Sequence, residues 1–505
     1  MSKDSKKIGH LISEVRRERG LTQAEFAKKL KTSQSAVNRI ENGKQNLSMQ
    51  MLGRISEVLE RQIVEVKSGG TINFKIEGGR ELKGDIEVKV SKNATVAIIC
   101  ASLLNKGTTI IERAPRIEEV NRLIEVIQSM GVKVKWHDNG DLELKPPARL
   151  KIEEMDEVAA KRTRSVLMFL GPLVHLAKEF TIPYPGGCKL GTRTVRPHLY
   201  ALEEFGVDIK AHRGRYHITK KLKQPGTVVL YEMGDTVSEN ALMAAAKTPG
   251  KTRLHKMSGN YMVQELCFYL QSLGVKVEGI GNANVTVTGK PNIKKTVRYS
   301  PSEDPIEAMM FLSLAATTNS AITIKRAPIE FLELELLKLK KMGFNYKILK
   351  RYKAKNGSTE LVDIKTLKTD RLYALDDKIH PQPYPGLNID NLPFFVPIAA
   401  RAHGRTLIHD WVYENRAIYY TELSKLGADI ELADSHRIYI NGPTHFKAAE
   451  LITPPALRPA VIVLIGMLAA NGTSVLRNVY SINRGYEDLA NRLNSLGAKV
   501  EILHD

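Results

Sequence analysis

A glycine-rich segment that contains a cysteine and an arginine carries the residue types best suited to chemistry in this chain. It runs Pro185-Gly186-Gly187-Cys188-Lys189-Leu190-Gly191-Thr192-Arg193, so the arginine follows the cysteine by five positions. Glycines let a backbone approach an anion and expose N–H groups to it, and nearby cations favour the thiolate form of a cysteine. The segment therefore indicates acid–base or covalent chemistry on an acidic substrate. The alternative is a glycine turn around a packed cysteine, since free cysteines are usually buried.

The composition limits the classes of protein to consider. The chain has 505 residues, 43% hydrophobic and 26% charged, as in ordinary globular proteins, and this length predicts about three domains. Its three cysteines, Cys100, Cys188 and Cys267, do not predict a disulfide framework and fit a reducing compartment. The first ten residues lack the apolar core of a signal peptide, and the most apolar segment, 459–470, is about 12 residues long, too short to cross a bilayer. We therefore expect a cytoplasmic protein outside the membrane.

Both the first 66 residues and the rest of the chain are basic, which favours anionic partners. The formal net charge is +20; residues 1–66 hold 13 Lys and Arg against 8 Asp and Glu, or +5, which leaves +15 for the other 439 residues. Nucleic acid would suit the first excess and small phosphorylated ligands the second. Charge alone does not decide between them.

Residues 7–62 predict short helices without strands. Thr22 followed by Glu25 is the pattern of a capping box at a helix start, and Ser33 opens the next helix, SQSAVNRIE. Apolar residues follow helical spacing before, between and after these signals. The pattern indicates a small all-α domain.

The segment LTQAEFAKKLKTSQSAVNRIENGKQNLS resembles a helix-turn-helix domain of the phage-repressor (Cro/C1, XRE) class. The resemblance implies that the third helix enters the major groove of DNA by its N-terminal end. The candidates for base contacts are Gln34, Ser35 and Asn38. The candidates for phosphate contacts are Gln23, Arg39 and Lys44. The alternative is a helical module that binds protein or only dimerises; many such domains dimerise, so a homodimer is one expectation.

After Gly69-Gly70 the chain alternates strands and helices in an internal repeat. A helix that ends in hydrophobe-Gly-hydrophobe recurs six times, at Gly131, Gly206, Gly274, Gly343, Gly427 and Gly497. The intervals of 75, 68, 69, 84 and 70 residues define a unit of roughly 70 residues. Each glycine is expected to turn a helix into a strand. The longest interval predicts an insertion in the polar stretch 350–372.

Six such units, with the cysteine segment in the second, resemble the enolpyruvyl transferases over roughly residues 71–505. The resemblance is stronger to the UDP-N-acetylglucosamine 1-carboxyvinyltransferase branch than to 5-enolpyruvylshikimate-3-phosphate synthase. It implies an α/β fold: a two-domain inside-out α/β barrel of six βαβαββ repeats, here joined to the small all-α helix-turn-helix domain. We expect the DNA-binding domain in residues 1–66, transferase domain I in residues 71–91 with 303–505, and domain II in residues 92–302.

The same resemblance assigns roles to individual residues. Cys188 would deliver a proton to the methylene carbon of phosphoenolpyruvate or bond to it, and Asp390 would take the proton from the sugar 3-hydroxyl. Lys92 would hold the phosphate or carboxylate, and Asn93 the amino-sugar. The other substrate-binding candidates are Arg164, Arg193, Arg196, His198, Asp304, Glu414, Arg416, Arg458 and Arg484. An arginine cage suits an anion of this kind because the guanidinium fork bonds carboxylate and phosphate oxygens in pairs. No metal and no cofactor are expected.

Three departures from the family pattern lie on the nucleotide-sugar side. Arg196 stands where the family usually has an aspartate that accepts from the uracil N–H. Asp235 enters the loop 234–238, where the family binds diphosphate. The run Ser258-Gly259-Asn260-Tyr261 stands where the family has Arg-Glu-Pro-Glu.

The expected function is transfer of the enolpyruvyl group of phosphoenolpyruvate to the 3-hydroxyl of UDP-N-acetylglucosamine, with release of phosphate. This reaction commits the sugar to peptidoglycan synthesis. Two alternatives stay open: a transcription regulator whose transferase-like body only senses a ligand, and an enolpyruvyl transferase for another anionic acceptor.

Overall fold

The computed structural model describes residues 3–30, 32–42, 49–59, 71–186 and 194–504. Its contacts divide the chain into two compact units, Met1–Thr71 with Asp505, and Ile72–His504. We call these the N-terminal unit and the large unit. No helix in the described ranges is both long and apolar enough to cross a membrane.

The described part of the N-terminal unit is helical, as its sequence predicts. The helices are α1 (Lys3–Glu18), α2 (Gln23–Lys29), α3 (Gln34–Glu41) and α4 (Met49–Leu59). Ile12, Phe26, Val37 and Ile55 are fully buried in a core that belongs to this unit alone. Helix packing against this core supplies most of the stability of such short helices.

The predicted helix starts are confirmed in the N-terminal unit. The backbone N–H of Glu25 donates to Thr22 Oγ1 at 3.2 Å, and the N–H of Thr22 donates to Glu25 Oε2 at 2.8 Å. Ser33 Oγ accepts from the N–H of Ala36 at 3.2 Å. These bonds satisfy N–H groups that have no partner within a helix.

The large unit alternates strands and helices throughout. Its strands are β1 (Ile72–Gly78), β2 (Lys83–Glu87), β3 (Thr109–Ile111), β4 (Lys133–Trp136), β5 (Leu142–Lys145), β6 (Glu179–Pro183), β7 (Val207–His212), β8 (Arg215–Lys220), β9 (Thr227–Val229), β10 (Gly250–His255), β11 (Lys276–Glu278), β12 (Asn284–Gly289), β13 (Val297–Tyr299), β14 (Ala321–Pro328), β15 (Tyr346–Lys353), β16 (Glu360–Thr366), β17 (Gly404–His409), β18 (Asp429–Leu432), β19 (Arg437–Gly442), β20 (Glu450–Ile452), β21 (Gly472–Arg477) and β22 (Lys499–His504). Its α-helices are α5 (Lys92–Ala101), α6 (Glu118–Ser129), α7 (Glu157–Ala160), α8 (Leu170–Leu173), α9 (Arg196–Glu203), α10 (Asp235–Lys247), α11 (Tyr261–Ser272), α12 (Pro305–Thr318), α13 (Glu333–Lys341), α14 (Phe395–Arg401), α15 (Leu457–Ala469), α16 (Tyr480–Asn483) and α17 (Leu489–Ser495).

The six predicted repeats are confirmed by one recurring corner. A helix ends, a glycine follows with φ between 79° and 93°, and a strand begins. The six glycines are Gly131, Gly206, Gly274, Gly343, Gly427 and Gly497. Glycine enters this left-handed conformation without the strain that a Cβ would add, which explains why it marks every repeat.

Each repeat forms one sheet in which its third strand lies between the first two. The orders are β3-β5-β4, β6-β8-β7, β10-β12-β11, β14-β16-β15, β17-β19-β18 and β21-β1-β22. The sixth sheet is completed from the start of the unit, because Lys75 of β1 pairs with both Val475 and Glu501. The pairing joins residues about 400 positions apart in sequence.

The sheets divide into two sets of three. The first set is built from residues 71–91 and 303–504, and the second set from residues 92–302. The chain passes between them twice, and the two crossing segments lie side by side. The N–H of Ser91 donates to Ser302 O at 2.9 Å, and the N–H of Asp304 donates to Lys89 O at 2.9 Å.

The helices at the centre of each set are buried over most of their length. Residues 305–317 of α12 and 458–468 of α15 are buried, and α12, α14 and α15 pack on one another. In the second set, residues 237–247 of α10 are buried, and α10 packs on α8 and α11. Sheets outside and helices inside form the predicted inside-out α/β arrangement.

The fourth repeat is longer than the others, as its interval predicts. Part of the extra length lies in the hairpin of β15 and β16, whose strands have eight and seven residues against three and six in β11 and β12. The hairpin turn reaches the second set, where Asn356 Nδ2 donates to Glu265 Oε1 at 2.5 Å. Lys355 Nζ lies 2.5 Å from Glu112 Oε2.

Alanine substitution at two repeat glycines should separate backbone strain from steric contact. Gly497→Ala should lower the free energy of unfolding by about 1–2 kcal/mol, because φ is positive but no described atom lies within 4 Å of the new Cβ. Gly206→Ala should cost more, because its Cβ would also meet the carbonyl oxygen of Lys221. Denaturant unfolding of both variants checks this; equal losses would contradict it.

Candidate active site

A cavity of about 650 Å³ in the large unit is lined by residues of both sets of sheets. It brings together nine of the residues that the sequence singles out: Lys92, Asn93, Arg164, His198, Asp390, Glu414, Arg416, Arg458 and Arg484. They lie as much as 392 positions apart in the chain (484 − 92), so the fold rather than local sequence assembles them. This convergence makes the cavity the candidate active site.

Of the four other predicted residues, Arg196 and Asp304 do not line this cavity, and the other two lie outside the described residues. Arg196 is the exposed first residue of α9. Asp304 caps α12, with the N–H of Ile306 donating to its Oδ1 at 2.8 Å, and lines a much smaller cavity together with Lys92 and Arg458. Cys188 and Arg193 fall in residues 187–193, outside the described residues.

Lys92 is held by a carboxylate that the sequence did not single out. Its Nζ lies 2.8 Å from Glu119 Oε2, and both side chains are largely buried. Burial alone would raise the pKa of Glu119, but Lys92, the hydroxyl of Ser165 and Arg484 together lower it to about 2. Glu119 therefore stays ionised and keeps two cations at this end of the cavity. In sequence it is one of two acidic residues at the start of α6, a common surface pattern.

Asp390 lies between two guanidinium groups. Its Oδ1 is 3.7 Å from Arg416 Nη1, and its Oδ2 is 3.7 Å from Arg458 Nη2. The side chain of Asp390 is 25% exposed, so it can reach a ligand in the cavity. A carboxyl group that reaches the cavity beside two guanidinium groups is placed as a general base would have to be for an acceptor bound next to an anionic donor.

Arg416 is fixed by a buried aspartate. Arg416 Nε donates to Asp410 Oδ2 at 2.6 Å and its Nη2 donates to Asp410 Oδ1 at 3.1 Å. The hydroxyl of Tyr420 also donates to Asp410, at 2.6 Å. Arg416 is 1% exposed, so this bidentate pair orients the guanidinium towards Asp390 without help from solvent.

Arg458 is held by an aromatic ring and by the buried end of α12. Its Nη1 donates to the hydroxyl of Tyr486 at 2.9 Å. Burial raises the pKa of Asp304 to about 6. The charge of Arg458 opposes this shift, and the charge of Glu307 contributes to it. Asp304 therefore gains charge near neutral pH, within reach of the cations that line the cavity.

Neutral polar groups also contribute to the cavity wall. Asn93 Nδ2 donates to the hydroxyl of Tyr261 at 2.9 Å. Asn240 Nδ2 lies 2.8 Å from Nδ1 of His198 and can only donate. The proton of the ring is then on Nε2, which faces Thr236 Oγ1 at 3.3 Å.

Two of the three departures from the family pattern meet in one place. Asp235 opens α10, where its Oδ1 accepts from Ser258 Oγ at 2.6 Å and its Oδ2 accepts from Asn260 Nδ2 at 3.1 Å. Residues that are unusual in two separate segments therefore satisfy each other. The cavity wall thus carries carboxyl groups as well as cations.

The N-terminal unit presents a polar helix face. Gln34, Ser35, Asn38 and Arg39 are exposed on α3, while Val37 and Ile40 of the same helix are buried. Gln23 Nε2 donates to Glu41 Oε2 at 2.8 Å, which ties the start of α2 to the end of α3. Lys44, the last predicted phosphate contact, lies outside the described residues.

Family models cover both units. The EPSP synthase (3-phosphoshikimate 1-carboxyvinyltransferase) model matches residues 76–493, and a helix-turn-helix model matches residues 12–66. The chain belongs to the EPSP synthase family of enolpyruvyl transferases. It carries in addition an N-terminal helix-turn-helix domain, and both resemblances drawn from the sequence are confirmed.

The similarity of this enolpyruvyl transferase to curated relatives covers almost the full length of those relatives. The UDP-N-acetylglucosamine 1-carboxyvinyltransferase of Bradyrhizobium diazoefficiens is 32% identical over 433 residues, covering 85% of this chain and 98% of the relative. The enzyme of the same name from Campylobacter jejuni is 31% identical over 434 residues, covering 86% and 99%. The segment that they leave uncovered is of the size of the N-terminal unit.

Solved structures agree on the fold. The enolpyruvyl transferase NikO from Streptomyces tendae superposes with a TM-score of 0.74 at 22% identity, covering 86% of this chain and all of that one. EPSP synthase from Acinetobacter baumannii superposes with a TM-score of 0.67 at 19% identity, over 86% and 100%. At these identities the likeness is one of fold.

Removing the buried partner of Arg416 should destabilise the enolpyruvyl transferase. Asp410→Asn leaves a buried guanidinium without its counter-charge, which typically costs about 3–5 kcal/mol. The exposed Asp434, paired with Arg437, gives the matched control Asp434→Asn, which should leave the thermal midpoint unchanged. Thermal unfolding measures both, and equal midpoints would contradict a structural role for the Asp410 pair.

Proposed function

We propose that the large unit transfers the enolpyruvyl group of phosphoenolpyruvate to the 3-hydroxyl of UDP-N-acetylglucosamine and releases phosphate, a reaction that commits the sugar to peptidoglycan synthesis. The position of Asp390 between Arg416 and Arg458 is the observation that carries this proposal. Asp390 would be a base beside the cations that are needed to bind a donor with two anionic groups. The 31–32% identity to enzymes named for this reaction supports the choice of acceptor.

The donor would be held at the cationic end of the cavity. Phosphoenolpyruvate carries a phosphate and a carboxylate, and Lys92, Arg458 and Arg484 line this end. Since Glu119 holds Lys92 in place, the charge is oriented before the substrate arrives, which reduces the cost of organising the site. Arg193 would complete the cage, as the family resemblance implies.

The chemistry would use one acid and one base. Asp390 takes the proton of the acceptor hydroxyl as its oxygen attacks C2 of the donor, and Cys188 delivers a proton to the methylene carbon. Loss of phosphate and of a proton from that carbon then restores the double bond. We infer that residues 71–91 with 303–505 form one domain and residues 92–302 the other, and that their closure joins acid to base and excludes water.

Turnover tests this proposal directly. Phosphate release from phosphoenolpyruvate should require UDP-N-acetylglucosamine and should fall at least about a hundred-fold in Asp390→Ala and in Cys188→Ala, because each removes a proton-transfer group. Cys188→Asp should retain turnover and resist thiol alkylation, since a carboxyl group can still donate a proton.

The exposed Asp208→Ala, on β7, serves as the control and should behave as the wild type. Tight binding of the nucleotide sugar without any turnover in the wild type would instead favour a ligand sensor. Turnover with a different acceptor alone would reassign the substrate.

We propose that the N-terminal unit binds DNA through the exposed face of α3. The N-terminal residues of α3 are polar and exposed, as base contacts require, and residues 1–66 carry a net charge of +5. Arg39 on the same helix would contact phosphate. Gln23 supports this face by joining α2 to α3.

Two substitutions separate base contacts from phosphate contacts. Gln34→Ala should reduce discrimination at one base pair by about 1–3 kcal/mol, whereas Lys44→Ala should weaken all sequences alike and lower the dependence of binding on salt. Fluorescence anisotropy with a selected operator and its single-base variants measures both. Uniform loss in both variants would mean that α3 does not contact bases.

A further inference from the structure

Two carboxyl groups one helical turn apart line the same cavity as the arginines. Asp235 and Glu239 lie on α10, four positions apart and therefore on the same face, and both line the cavity. We call them the carboxyl pair. Neither belongs to the donor site described above.

Asp235 occupies the place that an anion would otherwise take. It stands in the first turn of a 13-residue helix whose N-cap, Gly234, makes no side-chain capping bond. Helix N-termini attract anions through their unpaired N–H groups. Both oxygens of Asp235 accept hydrogen bonds, from Ser258 and Asn260. Burial raises the pKa of Asp235, these two hydrogen bonds oppose that shift, and the charge of Asp390 adds to it. A phosphate at this helix end would therefore meet carboxyl oxygens that are already held in place.

Glu239 is buried at the cavity wall with an oxygen that has no partner. It is 1% exposed, and its Oε1 makes no hydrogen bond to any described residue. Burial raises the pKa of Glu239 well above its ordinary value, and the charge of Asp235 raises it further. A buried polar atom without a partner costs free energy, so its presence beside a cavity points to a ligand that bonds to it.

Neutral polar groups adjoin the carboxyl pair. Asn388 Nδ2 lies 3.5 Å from Asn260 Oδ1, and Asn388 is two residues before Asp390. Ser258, Asn260 and Asn388 all line the cavity. The hydrogen-bonding neighbours of the carboxyl pair in the cavity wall are therefore hydroxyl and amide groups.

We propose that the carboxyl pair binds hydrogen-bond donors of the acceptor, such as hydroxyl, amino or amide N–H groups on a sugar ring, and keeps phosphate away from the start of α10. This inference rests on the proposed function, because it names the part of the same acceptor that faces α10. The sugar ring would lie on the carboxyl pair, and the diphosphate would lie elsewhere.

Three variants test the carboxyl pair. Glu239→Met removes the unpaired polar group but keeps the volume, and should raise the KM for UDP-N-acetylglucosamine about ten-fold or more. The KM for phosphoenolpyruvate should change less than about two-fold, because the donor site does not include Glu239. Glu239→Gln retains a donor and an acceptor and should restore most of the affinity. The thermal midpoint of Glu239→Met should not fall, since no internal hydrogen bond is lost.

Asp235→Asn tests the exclusion of phosphate. Removing the charge should let UDP, which has the diphosphate but no sugar, inhibit at a lower concentration than in the wild type. Glu278→Gln, an exposed carboxyl of β11, is the matched control and should change neither constant. Weaker inhibition by UDP in Asp235→Asn would overturn the proposal, because the carboxyl pair would then support the diphosphate. Unchanged acceptor KM in Glu239→Met would overturn it too.

The carboxyl pair can be tested even if the proposed catalytic function is wrong. If the wild type shows no turnover, calorimetric titration of the full chain with UDP-N-acetylglucosamine and with UDP makes the same comparison without catalysis. Loss of sugar-nucleotide binding in Glu239→Met, with UDP binding retained, would support the carboxyl pair as a binding site in a protein that is not an enzyme. Equal binding in the wild type and Glu239→Met, or no binding in either, would overturn it.

Discussion

The pairing of the two crossing segments is the constraint on which the large unit depends. Hydrogen bonds between Ser91 and Ser302 and between Asp304 and Lys89 join the two segments of the described chain that pass from one set of sheets to the other. Helices α5 and α12 begin directly after these bonds. The same backbone pairing therefore positions Lys92, at the start of one helix, in the wall of the cavity that both sets line, and Asp304, at the cap of the other helix, in the smaller cavity that Lys92 also lines.

Charge in the cavity is organised by the protein itself. Glu119 holds Lys92, and Asp410 holds Arg416, so the cations keep their positions through buried partners rather than through solvent. Such pairs are costly to bury, and their presence at a cavity is easier to explain by function than by stability. Asp235 and Glu239 line the same cavity, so its wall carries carboxyl groups as well as cations.

The sequence predicts the repeated elements of this protein well. It predicts poorly which individual acidic residues matter in the cavity. The six glycines, the caps at Thr22 and Ser33 and the order of elements follow from spacing and local hydrogen bonding, which act within a few residues. Glu119 and Glu239 lie in helices among other polar residues, and no local pattern distinguishes them. The role of Glu119 comes from its contact with Lys92, and that of Glu239 from its place in the cavity wall, and only the folded chain shows either. The family resemblance anticipates much of the cavity, but not Asp410 or the partnership of Asp235 with Ser258 and Asn260.

The position of strand β1 affects folding during synthesis. It lies between β21 and β22, and the ribosome adds both of these neighbours about 400 residues after it has added β1. Until then its two edges lack their final partners, and unpaired strands are prone to wrong association. The N-terminal unit, with a core of its own, is complete long before. Any nascent chain interrupted before residue 472 would therefore carry a finished helical unit on an enolpyruvyl transferase whose sixth sheet cannot close.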